Sequence, residues 1–471
     1  MSIAKRGFLG TFFHAPTRER LETLQDTLFL VDEDGVIIDI FGCDDPRRKE
    51  AISDLGDALY MLPEDHFALP GFVDLHVHVP QYPQLGLALD VPLETWLSTF
   101  TFPLEARYAD LDFARERYET LVEDLLASGT TTALYFATQH LEATKLLADI
   151  CIAKGQRSLV GKVVMDHPVS CPADYRDQTP QAAVDDTRAV IDHIRNHGAN
   201  GAGRVLPVVT PRFIPSCTDA ALQGLGELAA ECDCHVQTHC SESDWAHGHA
   251  LDRCGVTDAT ALDGFGLLSR KTVLAHSVFL TDADMDRVAQ RGSGVAHCAL
   301  SNIYFGNAVF PLRRALEKGV HVGLGTDVSG GPSESMFAAC RATVQSSRLL
   351  DEGVDSTLPA TERGRPGSRI DLVTAFHLAT AGGGMALDLP VGQLAPGFRF
   401  DVMVIDPAAA QGGIRLFGER SPELVFQKIL YGATRANIAS VWVDGRKISG
   451  SDQPTPSSRI MPDIEAKASR A

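Results

Sequence analysis

Eight short β-rich runs recur along the chain, separated by longer stretches patterned for helix, and this alternation restricts the fold more than any other feature. The runs are FVDLHVHV, TTALYF, VGKVVMD, VLPVVTPRF, HVQTHC, TVLAHS, GVAHCA and HVGLGTD, between residues 72 and 327. Among the intervening segments are DFARERYETLVEDLLASG, LEATKLLADICIAKG, PQAAVDDTRAVIDHIRNHG and DAALQGLGELAAEC, several with acidic starts and a Gly near the end, which are helix start and stop signals. Strands alternating with helices form a parallel sheet, and eight such units predict an α/β fold, a (β/α)8 TIM-type barrel with its chemistry at the C-terminal ends of the strands.

The two chain ends read differently. TLFLVDEDGVIID is a pair of β runs around an Asp34-Gly35 turn, and similar text returns in FDVMVIDP and IASVWVDGRKIS. The expectation is a small β-sandwich domain composed of residues 1–68 and 389–450, a barrel over residues 69–388, and a tail over 451–471 that is loosely ordered or docked on a neighbour. A chain of 471 residues, 44% hydrophobic, can bury a core of this size.

Charge narrows the partners. With 61 acidic against 42 basic side chains the net charge is -19, which repels polyphosphate and anionic lipid and argues against nucleic acid and membrane surfaces. The opening MSIAKRGFLGTFFHAPTRERLE does not read as a signal peptide, and no apolar run approaches a membrane span. The ten cysteines are scattered, so reduced thiols and a cytoplasmic location are expected, and the lone pair Cys232 and Cys234 reads as incidental.

Within the first run, GFVDLHVHVP, three polar side chains interrupt an apolar strand at alternate positions. Asp74, His76 and His78 therefore share one face, opposite Val73, Leu75, Val77 and Val79. Other runs also close on polar groups: Arg212, His239, His276 and Asp327. His76, His78 and His239 would supply nitrogen and Asp327 oxygen, a set suited to Zn2+ or Fe2+ with a position left for water. His276 reads as a further ligand or a supporting group. Glu242, three residues past His239, is placed to move protons to and from such a water. His235, His297 and His321 read as core or rim residues.

These motifs, with PQY after the H-x-H, TFPLEARYAD, TPRFIPSC, THCSE, LAHS and GTDVSGG, resemble the amidohydrolase superfamily and, within it, the guanine deaminases. The resemblance spans nearly the whole chain. It implies one Zn2+ per chain, Fe2+ being possible, held by His76, His78, His239 and Asp327, with His276 beside the bound water and Glu242, His276 and Asp327 catalytic. It also implies contacts from Gln81, Arg212 and Phe213 to a small-molecule substrate, guanine, deaminated at C2, and a homodimer. HCALSN, His297 to Asn302, departs from the relatives' HCPxSN by Ala299 in the proline's place; with no proposed ligand there, the chemistry is expected to be independent of it. The alternative is a related hydrolase acting on 8-oxoguanine, cytosine or an s-triazine. A zinc deaminase of nucleic-acid bases would carry H-x-E and P-C-x-x-C, which this sequence lacks.

Overall fold

The computed structural model describes residues 6–450, so the expected tail lies outside the described residues. Eight barrel strands run Phe72–His78, Thr130–Phe136, Arg157–Gly161, Val205–Pro211, His235–Cys240, Thr272–His276, Gly294–His297 and His321–Leu324, each paired in parallel with the next. The third run is split: Lys162 interrupts it, and Val163–Val164 pairs separately with the fourth strand.

The eighth strand is shorter than the sequence suggests. It ends at Leu324, and Asp327 lies beyond it in the left-handed region at φ 51°. Closure of the barrel falls to this following turn: Asp327 N donates to the His76 carbonyl (2.9 Å) and His78 N to the Val328 carbonyl (2.8 Å). Asp74 accepts from Thr326 N (3.0 Å) and Thr326 Oγ1 (2.6 Å) on the same seam.

The helices follow the sequence signals. Leu111–Ala127 starts at Asp110, whose carboxylate accepts from the Asp112 and Phe113 amides, and it buries Leu121, Val122, Leu125 and Leu126. Leu141–Lys154 stops at Gly155, whose φ of 75° is a left-handed cap that glycine adopts without steric cost. Truncating a fully buried leucine such as Leu125 would cost about 2–5 kcal/mol.

The chain ends build one eight-stranded sheet, the form the expected sandwich takes here. Its order is 446–450, 438–443, 402–405, 67–70, 6–17, 20–31 and 37–41, with 59–61 alongside 6–17. Phe8 stacks on Phe400 at 4.1 Å and meets Trp442 edge-on at 5.1 Å, so aromatic rings from both termini share one core. Arg157 of the barrel reaches this sheet, donating to Asp401 (3.0 Å) and Asp444 (2.5 Å), while Arg204 donates to the other Asp444 oxygen (2.8 Å). Among the described residues no helix is long and apolar enough to cross a membrane. All ten cysteines, each within the described residues, are free.

Candidate active site

At the C-terminal mouth of the barrel the strand ends bring their polar side chains to one point. His76, His78 and His239 place nitrogen atoms within 4.8 Å of one another, as do the ligand atoms of His76, His276 and Asp327. His78 Nε2 and His239 Nε2 face each other at 2.9 Å, and Asp327 Oδ1 lies 3.2 Å from His76 Nε2 and 3.7 Å from His78 Nε2.

Two of the imidazoles are oriented from behind. His239 Nδ1 donates to the Arg212 carbonyl (2.6 Å), which leaves Nε2 as the lone-pair nitrogen toward the centre. His276 Nδ1 donates to Asn302 Oδ1 (2.9 Å), so its Nε2 also faces inward, 3.7 Å from Glu242 and 3.9 Å from Asp327. His76 Nε2 and His276 Nε2 are buried without a hydrogen-bond partner. Buried orphan nitrogens aimed at one point beside a carboxylate fit a cation-holding site, because a metal ion would satisfy them together.

Burial sets the protonation states. It holds His76, His78 and His239 well below the ordinary imidazole range, and neighbouring imidazoles push the same way, so all three are neutral and able to ligate. His276 is lowered by burial against the opposing pull of Asp327 and Asn302. Burial pushes Glu242 up to about 8, the Asp327 charge adding and Arg212 opposing. Burial likewise raises Asp327, with His276 opposing.

Beside this cluster is a pocket. It is lined by His78, His239, Glu242 and Asp327, by Gln81, Arg212 and Phe213, and by the apolar Leu93, Trp96, Leu97 and Phe305. Arg212 and Phe213 are sequence neighbours, so strand alternation alone would point them apart. The fourth strand stops at Pro211, and the chain turns through a helical turn at Ile214–Ser216, which lets both reach the pocket.

Every site residue named from the sequence lies in or against this centre. Asp74, the third polar group on the first strand, does not; it faces Thr326. His235 donates to the Leu387 carbonyl (2.7 Å), in keeping with a core role. Asn302 was not singled out from the sequence: Ala299–Ser301 is helical, continuing into Asn302–Gly306, and Asn302 Oδ1 accepts from His276 Nδ1. Glu105 was also missed, although it lies in the TFPLEARYAD motif; it binds both Gln81 and Arg212.

Fold and site define an α/β-barrel hydrolase with a cation-holding centre at the strand ends. Residues 67–448 match the Amidohydrolase family. The chain is 35% identical over 456 residues to the guanine deaminase of Homo sapiens, covering 94% of this chain and 96% of that one. It is 34% identical over 452 residues to the probable guanine deaminase of Schizosaccharomyces pombe, covering 94% and 83%. The crystal structure of guanine deaminase from C. acetobutylicum with guanine bound in its active site superposes with a TM-score of 0.84 at 27% identity, covering 94% of this chain and all of that one. The chain belongs to the amidohydrolase family, among its guanine deaminases.

Proposed function

We propose the following division of labour for the hydrolytic deamination of guanine to xanthine and ammonia, the reaction this chain catalyses. His76, His78, His239 and Asp327 would hold one Zn2+, with Fe2+ the alternative for the same three nitrogens and one carboxylate. When bound, the ion would supply a nucleophilic water by lowering its pKa to about 7.

Asp327 and His276 orient the attacking water at guanine C2. Glu242 carries the protons: it takes one from the attacking water and delivers it to ring N3 as C2 becomes tetrahedral, and the second water proton, accepted by Asp327, passes through Glu242 to the 2-amino group, which departs as ammonia. A buried carboxyl titrating near neutral pH is suited to both giving and taking a proton. Arg212 donates to O6, Gln81 reads the neighbouring edge, and Phe213 flanks the flat base. The reading is carried by one observation: Gln81, Arg212 and Phe213 line the same pocket as His78, His239, Glu242 and Asp327.

Ammonia release across guanine, cytosine, adenine, 8-oxoguanine and melamine tests the substrate. Guanine should lead, and a preference for any of the others would overturn it. The reading includes a homodimer in the cytoplasm; light scattering of the purified protein tests the dimer.

A further inference from the structure

We propose that Glu105 sets the donor and acceptor polarity of the substrate pocket, as a positioning residue that fixes Gln81 and Arg212 for the lactam edge of guanine. The inference rests on the guanine reading above and adds the residue that enforces it.

Glu105 is fully buried, on the short helix Phe102–Ala106. Its Oε1 accepts from Gln81 Nε2 (2.8 Å) and Arg212 Nη2 (3.2 Å). Its Oε2 accepts from Arg212 Nη1 (2.7 Å) and Tyr175 Oη (2.8 Å). Four donors thus converge on one carboxylate, which offers about four lone-pair sites. Glu105 is not part of the pocket wall, but its partners Gln81 and Arg212 are.

The consequence for Gln81 is a defined amide orientation. A carboxylate only accepts, so Nε2 must face Glu105, and Oε1 lies on the side of Ser329 N at 3.4 Å. Turning the amide over would set its oxygen against the carboxylate and its NH2 against a backbone N–H, so the flip is disfavoured at both ends. Arg212 is held by two parallel hydrogen bonds, with its guanidinium carbon 5.0 Å from the centre of the Phe102 ring. The wall therefore presents a donor at Arg212 and an acceptor at Gln81 Oε1. Guanine offers the complement, an acceptor at O6 beside a donor at N1. Adenine has nearly the same shape with that polarity reversed.

Glu105→Gln keeps the size of the side chain but replaces an acceptor with a donor, facing three donor groups. With metal content at the wild-type level, kcat/KM for guanine should fall roughly 10–100-fold. For 2-aminopurine, which lacks both O6 and the N1 proton, the fall should be about threefold or less. Glu105→Asp, which still only accepts, should retain the preference for guanine. Equal losses on both substrates in Glu105→Gln would reduce Glu105 to a structural role and overturn the proposal. Inhibition of the wild type supplies a test that needs no variant: hypoxanthine should bind at least about tenfold more tightly than adenine, and equal inhibition overturns the assigned polarity. Failure of the guanine reading would look different, because the wild type itself would then not deaminate guanine.

Discussion

Asp74 grips Thr326 through both the backbone amide (3.0 Å) and the hydroxyl (2.6 Å), joining the strand that carries His76 and His78 to the turn that carries Asp327. Asp74 and Thr326 are 252 residues apart in sequence, and their contact adds to the backbone bonds from Asp327 N to His76 and from His78 N to Val328 on the same seam. Asp74→Ala removes an acceptor from three buried donors, the two of Thr326 and the His76 amide, and loosens the relative placement of the proposed ligands. Metal affinity, measured by chelator competition, should drop about 10–100-fold, as for other groups that orient ligands. Unchanged affinity would show that the seam holds without it.

His78 faces His239 at 2.9 Å and Asp327 at 3.7 Å. Elemental analysis of the wild type should find about one transition metal per chain. His78→Ala should lose both metal and turnover. A fully active, metal-free wild type would sink the assignment of the centre.

Glu242 and Asp327 should separate by metal content. Glu242→Gln should keep its metal and lose turnover by roughly a hundredfold or more, whereas Asp327→Ala should lose metal as well. Normal turnover in Glu242→Gln rules out the proton-carrying role.

The same glutamate predicts a pH dependence in chelator-treated protein. In the fold its carboxyl stays protonated up to about 8, whereas the unfolded chain ionises near the ordinary 4.5. Between those values the unfolded state binds fewer protons, so this group's contribution to stability declines as pH rises through the window and levels off above it. Urea denaturation should therefore show wild type losing stability relative to Glu242→Gln between pH 5 and pH 8. A constant difference would place the Glu242 pKa near that of a free carboxyl.

Asn302 offers a test of how His276 is oriented. Asn302→Ala removes the acceptor for His276 Nδ1, freeing the ring to rotate and exchange tautomers. We expect kcat to fall about 10–100-fold with metal retained; wild-type kcat would mean that packing alone orients His276.

Arg157 joins the barrel to the sheet formed by the chain ends. Arg157→Met leaves Asp401 without its partner at 3.0 Å, and both residues are almost fully buried. Chemical denaturation should show a loss of about 3–5 kcal/mol, the cost of stranding a buried charge.

Much of this was legible in the sequence because it depends on local periodicity. A period of two put His76 and His78 on one face of a strand, and eight strand-helix alternations implied a barrel whose strand ends converge, so His239, His276 and Asp327 could be grouped with them. Glu242 followed from its distance to His239. The split β text at the two ends predicted a shared domain. The partners of polar groups were not legible, because hydrogen bonds between strands and turns leave no periodic trace. Asp74 had the same signature as the histidines beside it, and only the tertiary structure turned it toward Thr326. Glu105 sits on a five-residue helix, 24 residues from Gln81, 70 from Tyr175 and 107 from Arg212, and nothing local marks it as their common acceptor. The sequence by itself determined which chemical groups stand at the strand ends, since side-chain alternation is a property of the local backbone. Only the tertiary structure decided which nitrogen of His239 and His276 faces inward and which way the Gln81 amide points, since those are set by acceptors distant in the sequence.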